Sequence, residues 1–205
     1  MKKMLPIALC AVLAGCGGTT VIDTDNEKEV AAMQDVMELE YRDWTKTAEK
    51  MTKSMLASGA FTRVKNPVIA IGTIKNDTMQ RFDTDILIKK IRTTLLNSGR
   101  AQVTTGFQNN APAEDGTTYA VRDVRDNPEY DQSTVAGRGT LVAPNMSLTG
   151  KMLQRNLKLD SGWFSSVDTR VEYYLQLTLS DVKTGLAVWE DEQPIIKEGD
   201  HAPTW

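Results

Sequence analysis

Residues 169–197, TRVEYYLQLTLSDVKTGLAVWEDEQPIIK, decide the fold class because they predict a long antiparallel hairpin. Apolar and polar side chains alternate through residues 169–182, and only Tyr174 breaks the alternation. A period of two with one polar face is typical of a half-buried antiparallel strand. Lys183-Thr184-Gly185 predicts the turn before the returning strand, in which Trp189 is expected to face the core.

A strand–helix–strand unit precedes the hairpin. Residues 67–74 are a β-branched apolar run of strand length, and residues 101–105 predict a second short strand. The helix between them starts at Asp83 or Thr84 and ends at Asn97-Ser98-Gly99. Its apolar side is predicted to contain Ile86, Leu87, Ile91, Leu95 and Leu96, and its polar side Lys89, Lys90 and Arg92. Strands joined by such a crossover normally run parallel in one sheet.

One more helix and one more strand complete the predicted domain. Asp43 can cap a helix that Gly59 ends. Its inward face is predicted to consist of Trp44, Ala48, Met51 and Met55. Residues 146–159 predict the further strand, while the polar segment 106–142 has one helix expected around 119–130 and either binds a partner or only varies. The predicted fold class is α/β (α+β): a mixed β-sheet with a C-terminal antiparallel hairpin, flanked by helices.

The start of the sequence predicts a bacterial lipoprotein signal. Lys2 and Lys3 precede a short apolar run, which Leu13-Ala14-Gly15-Cys16 ends with small residues before a cysteine. The run is shorter than the ~20 residues that a membrane-spanning helix needs. The tetrapeptide resembles a lipobox, which implies cleavage after residues 1–15 and lipidation of Cys16 with diacylglycerol and palmitate. An ordinary signal peptide with a chance cysteine is the alternative.

Residues 16–42 are expected to form the lipidated N terminus and a tether, and residues 43–205 the globular domain. The tether is acidic, and apolar residues recur in it at spacings of three and four. They are Val30, Met33, Met37 and Tyr41. This pattern predicts either a short helix that docks on the domain or on a partner, or a solvated tether.

Composition excludes several classes of protein. Cys10 and Cys16 are the only cysteines, and Cys10 leaves with the signal, so a disulfide framework is excluded. Removal of Lys2 and Lys3 from the 24 basic residues leaves 22, against 27 acidic residues. Because no basic patch stands out, nucleic acid and anionic membrane surfaces are not expected as electrostatic partners.

Carboxylates are plentiful in the sequence, but no arrangement of residues typical of catalysis is present, so we expect no enzyme, metal site or cofactor. His201 is the only histidine and lies in a polar tail, where it is poorly placed for nucleophilic catalysis. With no cysteine in the mature domain, a zinc site of nitrogen and sulfur ligands is also excluded. The run 137–140 matches neither a P-loop nor a dinucleotide-binding motif. Glu190 and Glu192 share one strand face and are expected in water on a charged edge strand.

Trp163 and Phe164 are the candidate partner-contact residues. They lie in Asp160-Ser161-Gly162-Trp163-Phe164-Ser165-Ser166, a predicted loop between two strands. Exposed aromatic side chains at a loop tip suit a protein contact, since such residues concentrate binding energy. The alternative is that the pair folds back onto the core.

Several segments, taken in order, resemble the penicillin-binding protein activator LpoB family. They are the lipobox, the strand 67–74 followed by Asn76-Asp77-Thr78, the helix end 95–99 and the hairpin 179–190. A strand–turn–strand with Lys-Thr-Gly-Leu also occurs in the related TolB-like (TolB-N) and curli-export (CsgG-like) domains. The resemblance covers most of residues 66–197 and is weakest between 107 and 145.

This resemblance implies an outer-membrane lipoprotein that faces the periplasm. It implies binding to a bifunctional penicillin-binding protein, a peptidoglycan synthase, and stimulation of its polymerase and cross-linking activities in cell-wall synthesis and cell shape. Activation is then by contact, with no chemistry by the activator. Gly17, rather than an aspartate, follows Cys16, which favours sorting to the outer membrane.

The tether departs from the family pattern, because well-known members have a long proline-rich one. About 26 residues separate Cys16 from the first predicted helix, which is roughly 90 Å at ~3.4 Å per extended residue and less than half of that if helical. A structural or assembly lipoprotein of an outer-membrane complex, related to secretion or appendages, is therefore the alternative function.

Overall fold

The computed structural model describes residues 21–33, 36–107, 115–159 and 169–199. The chain divides into two compact units, Met1–Asp35 and Val36–Trp205. In the first unit the short helix α1, Glu27–Ala31, begins after Asn26, whose side chain accepts a hydrogen bond from the backbone N–H of Lys28. The second unit contains the sheet and the other helices.

In the described residues, five strands form one mixed sheet. They are β1 (Val68–Asp77), β2 (Gln102–Val103), β3 (Met146–Lys158), β4 (Thr169–Asp181) and β5 (Ala187–Gly199). Their order across the sheet is β2-β1-β3-β4-β5. Strand β1 pairs in parallel with β2 and β3, whereas β3 with β4 and β4 with β5 pair antiparallel. The predicted fold class, parallel pair and C-terminal hairpin are confirmed.

The remaining helices are α2 (Tyr41–Ala57), a 3₁₀ turn (Ala60–Thr62), α3 (Asp85–Asn97) and α4 (Thr117–Asp123). Helix α2 packs against α3 and β5, and α3 also packs against β1 and β2. The predicted cap of α2 was misplaced. Glu40 is the N-cap residue, and its backbone N–H donates to the carboxylate of Asp43 inside the first turn, at 2.9 Å. Gly59 follows the helix with φ 73°, a conformation that glycine adopts without strain.

One hydrophobic core lies between α2, α3 and one face of the sheet. Alternate residues of β4 are fully buried in it, as the sequence predicted: Val171, Tyr173, Leu175, Leu177 and Leu179. Strand β3 contributes Met146, Leu148 and Met152, and α2 contributes Ala48, Met51 and Met55. Trp44 and Trp189 are also buried in the core, as predicted. Complete burial of each large apolar side chain stabilises the fold by about 1.5–3 kcal/mol.

Helix α3 differs from its predicted amphipathic pattern at three residues. Ile86 and Leu96 were predicted inward but are 57% and 49% exposed, whereas Arg92 was predicted outward and is 9% exposed. The buried side is centred on Leu87, Ile91 and Leu95, and a neighbour in sequence lies about 100° round the helix. A residue beside a buried one can therefore face water or the flank of the core, which periodicity alone does not decide.

Two predicted boundaries were also wrong. Strand β1 continues to Asp77, because β3 supplies a pairing partner there, with Asp77 opposite Leu153. Helix α4 ends at Asp123, well before the predicted end near residue 130. Within the described residues, no helix combines the length and the apolar composition needed to cross a membrane.

Candidate partner-binding surface

Cys16, Trp163 and Phe164, the residues singled out in the sequence, lie outside the residues that the structure describes, as does His201. Their roles stay predictions. In the described ranges, no group of three or more His, Cys, Asp or Glu side chains could hold a metal ion.

The last strand is the edge of the sheet, as the charges of Glu190 and Glu192 predicted. Both glutamates are exposed, and Pro194, which has no backbone N–H, follows on the same strand. Charged side chains and proline on an edge strand discourage pairing with the edge of another sheet. Association with a partner through this backbone edge is therefore disfavoured, and side chains are the better candidates.

The two faces of the sheet differ in what covers them. The inward face packs on α2 and α3. The outward face, here called the open face, carries the alternate side chains of the last four strands in spatial order. They are Lys75 and Asp77 of β1; Lys151, Leu153 and Arg155 of β3; Arg170, Glu172, Tyr174 and Gln176 of β4; and Glu190, Glu192, Pro194, Ile196 and Glu198 of β5.

An apolar strip crosses the open face. Leu153 lies opposite Tyr174 on β4, and Tyr174 lies opposite Pro194 on β5. Ile196 extends the strip along β5 and is 55% exposed. Leu153 and Tyr174 are half-buried and Pro194 is exposed. The period of two along each strand places all four on one side of the sheet. Sequence reasoning missed this strip, although the one break in the alternation of β4, at Tyr174, was its signal.

Ion pairs on both sides of the strip position its polar neighbours. Lys151 lies 2.7 Å from Asp77, and this contact lowers the pKa of the Asp77 carboxyl. Arg155 lies 3.8 Å from Glu172. The hydroxyl of Tyr174 donates to the same Glu172 carboxylate at 2.6 Å, which raises the pKa of Tyr174. The tyrosine ring is thus held in a defined orientation by its own polar end.

Charge is distributed unevenly across the open face. In one row across the strands, Lys75 and Lys151 lie on the β1 side, and Gln176 and Glu192 lie on the β5 side. Gln176 donates to Glu192 at 2.7 Å. Among the described residues, no cationic nitrogen lies within 4.0 Å of the carboxylates of Glu190 and Glu192. The β5 side therefore has excess negative charge in contact with solvent.

Residues 36–40, here called the N-terminal strap, pack on the folded unit just before α2. The ammonium group of Lys197 donates to the carbonyls of Val36 and Glu38 at 2.9 and 2.7 Å. The same group lies 2.6 Å from the carboxylate of Asp43 and 3.8 Å from that of Glu40. These side chains are only 12–15% exposed, so the ion pairs are poorly screened by water.

Two further side chains bind the strap. The Tyr173 hydroxyl donates to the Met37 carbonyl at 3.1 Å. Burial, followed by the charges of Glu38 and Asp43, raises the pKa of Tyr173, so it remains a protonated donor. The Gln80 side chain accepts from the backbone N–H of Leu39 at 2.8 Å and donates to its carbonyl at 3.1 Å. The strap is thus part of the folded unit, and its packing corresponds to the docked alternative that the sequence left open for this part of the predicted tether.

Residues 115–145, which precede β3, form a lobe with its own hydrogen bonds. The Tyr119 hydroxyl donates to the Gly106 carbonyl. Arg125 donates to the carbonyls of Ala136 and Gly137 at 2.7 and 2.9 Å. A cavity of about 550 Å³ opens beside Tyr130. These contacts satisfy backbone groups that a polar segment would otherwise leave to water.

Comparison with solved structures finds the C-terminal domain of LpoB from Salmonella enterica, at 15% identity and a TM-score of 0.44, covering 75% of this chain and 98% of that one. The C-terminal domain of LpoB from Escherichia coli is similar at 13% identity and a TM-score of 0.42, with the same coverage. The NMR structure of E. coli LpoB is similar at 14% identity and a TM-score of 0.41, covering 95% of this chain and 90% of that one.

No curated protein matches the sequence. The sequence model of the peptidoglycan-synthase activator LpoB family matches residues 43–195. This range is most of the 205-residue chain and includes all of α3 and nearly all of α2 and of the sheet. The chain therefore belongs to the peptidoglycan-synthase activator LpoB family.

Proposed function

We propose that this protein is an outer-membrane lipoprotein that binds and activates a bifunctional penicillin-binding protein, a peptidoglycan synthase. The observation that supports this most directly is the family match over residues 43–195. Membership implies the role of an activator in peptidoglycan synthesis.

Activation would proceed through protein contact, with the bond-forming chemistry left to the synthase. The full sequence has one histidine and two cysteines, of which Cys16 is the proposed lipid site. A cysteine–histidine nucleophile or a zinc site of nitrogen and sulfur ligands would therefore lack its usual side chains. The activator would instead bind one conformation of the synthase more tightly than another, and the population of that conformation would rise with occupancy.

Lipidation of Cys16 would anchor the protein to the outer membrane, with the folded unit in the periplasm. Because the strap is packed on the folded unit, the free tether would consist of residues 17–35. These 19 residues would span at most roughly 65 Å at ~3.4 Å per extended residue, and less with α1 helical. This reach is shorter than the ~90 Å that the sequence alone allowed. Contact would thus need a synthase whose periplasmic part extends toward the outer membrane.

Reconstitution tests the activating function. Residues 16–205 with Cys16→Ala, purified without lipid, should bind the bifunctional synthase of the same cell and increase its rate of glycan polymerisation and cross-linking. A family-unrelated periplasmic protein at equal concentration serves as the control. Absence of both binding and stimulation would rule out the activator role.

Membrane fractionation tests the anchor. The unaltered protein should sediment with outer membranes and acquire labelled palmitate, whereas Cys16→Ala should be soluble in the periplasm. A Cys16→Ala protein that still sediments with membranes would contradict lipidation at this residue.

A structural or assembly role in an outer-membrane complex is the second candidate, and the short tether favours it. In-cell cross-linking followed by mass spectrometry separates the two functions. An outer-membrane assembly as the main cross-linked partner, with no synthase captured, would support the second candidate over the first.

A further inference from the structure

We propose that the open face is the surface that contacts the synthase, and that the partner presents an apolar ridge flanked by at least two Lys or Arg side chains. This inference rests on the proposed function and identifies the contact surface and the chemistry of the partner.

The open face has the anatomy of a protein-binding patch. The strip formed by Leu153, Tyr174, Pro194 and Ile196 crosses three strands, with charged residues on both sides. An apolar centre with a polar rim is typical of protein interfaces, and tyrosine is enriched at residues that contribute most binding energy. The contact between Tyr174 and Glu172, at 2.6 Å, holds the ring before a partner arrives. Less conformational entropy is then lost on binding.

The charges identify the kind of partner. Asp77, Glu172 and Glu198 each have a cation on the open face, at distances of 2.7, 3.8 and 2.5 Å. Glu190 and Glu192 have no such cation among the described residues and lie side by side on the edge strand. Their mutual repulsion is relieved when a partner supplies positive charge. Two adjacent carboxylates therefore favour a partner with two basic side chains.

A second copy of this chain fits the open face less well. In a face-to-face dimer, a two-fold axis that runs along the strands at the centre of the face would place Glu190 and Glu192 of one copy against the β1 side of the other. That side offers Lys75 and Lys151, but Lys151 already pairs with Asp77 at 2.7 Å. Two carboxylates would then share one available lysine. The charge balance thus favours a basic partner over self-association.

The test measures binding to the synthase for variants of residues 16–205 with Cys16→Ala. We expect Ile196→Asp and the double variant Glu190→Lys/Glu192→Lys each to weaken binding by about tenfold or more. The double variant should also reduce the salt dependence of the association rate. Matched controls are Ile86→Asp on α3, since Ile86 is 57% and Ile196 55% exposed, and Asp123→Lys/Glu129→Lys in the lobe. Both controls should bind within twofold of the parent.

Thermal unfolding of each variant separates lost contact from lost fold. The double charge reversal alters only exposed side chains, so it keeps the test decisive if Ile196→Asp does not fold. If the parent binds the synthase and both open-face variants bind equally well, the surface is wrong while the activator function stands. If the parent binds no synthase, the activator function and this inference fail together. A parent homodimer that Ile196→Asp dissociates would assign the face to self-association and overturn the inference.

Discussion

The ammonium nitrogen of Lys197 lies 2.6 Å from a carboxylate oxygen of Asp43 and thereby joins the last strand to helix α2. The same nitrogen binds the carbonyls of Val36 and Glu38, so one side chain connects three segments that are distant in sequence. Because the lysine and the aspartate are 12% and 15% exposed, we regard this ion pair as mainly structural.

Lys197→Ala is expected to lower the free energy of unfolding by about 2–4 kcal/mol, because removal of one partner leaves poorly solvated carboxylate and carbonyl groups without their donor. Equilibrium unfolding in urea measures this loss. Lys151→Ala is the matched control, since its pair with Asp77 is 39% and 48% exposed and should contribute at most about 1 kcal/mol. Equal losses in the two variants would contradict the role given to the strap.

Met152 and Leu153 are neighbours on β3 that face opposite sides of the sheet. Met152 is fully buried, so Met152→Ala should destabilise the protein by about 2–5 kcal/mol through lost burial and a cavity. Leu153 is half-buried on the open face, and Leu153→Ala should cost about 1 kcal/mol or less. Denaturant midpoints of the two single variants check this. If Leu153→Ala destabilised the protein as much as Met152→Ala, the open face would be covered in the folded protein.

Gly150 marks a close approach between β3 and β4. A Cβ atom added there would lie 2.5 Å from the Gln176 carbonyl oxygen and would also collide with the Leu177 side chain. Gly150→Ala should therefore destabilise the protein by about 1–3 kcal/mol. Gly116→Ala is the control, since a Cβ at Gly116 meets nothing within 4 Å, and its effect should stay within about 0.5 kcal/mol. Thermal unfolding of both variants gives the comparison, and a neutral Gly150→Ala would contradict the strand spacing described here.

The turn of the hairpin should make stability depend on pH. The Asp181 carboxylate accepts from the backbone N–H of Thr184 at 2.8 Å and from its hydroxyl at 3.0 Å, and these bonds lower the pKa of Asp181. A lowered pKa in the folded state means that this stabilisation is present above the ordinary value of 3.8 and is lost as the pH falls through the folded-state pKa. Asp181→Asn should thus be less stable than the parent at pH 7.

Urea unfolding at several pH values checks the direction in which this stability difference changes with pH. The difference between the parent and Asp181→Asn should shrink below pH 3.8, where Asp181 is protonated first in the unfolded chain and then, at its lower pKa, in the folded protein. A difference that stays constant from pH 7 to pH 3 would show that the carboxylate charge does not stabilise the turn.

Much of the fold could be predicted from the sequence, since alternation and helical spacing are local properties. The inward residues of β4 and α2 followed their predicted periods because a regular strand or helix repeats its orientation. The predictions were wrong where the burial of a side chain depends on how its helix packs against a neighbouring element. Arg92 and Ile86 are examples, because the flank of α3 that meets the core depends on how the helix lies across the sheet. The signal and the lipid site at Cys16 stay predictions.

The candidate surface was less predictable from the sequence than the fold. Tyr174 was noticed as an irregularity in the alternation, but the sequence contained no indication that Leu153 and Pro194 lie beside it. Those contacts follow from the register of β3, β4 and β5. Register joins residues from distant segments, and no local pattern in one strand specifies it.

The sequence by itself determined which side chains of each strand and helix share a face, because the periods of 2 and about 3.6 residues are set by backbone geometry. It also determined the family, since the sequence model of the family matches residues 43–195. Only the tertiary structure decided that Lys197 binds the strap beside Asp43, and that Leu153, Tyr174 and Pro194 lie side by side on the outward face of the sheet. The reason is physical: both outcomes depend on packing between segments that are far apart in the chain, and an isolated segment contains no information about its distant partner.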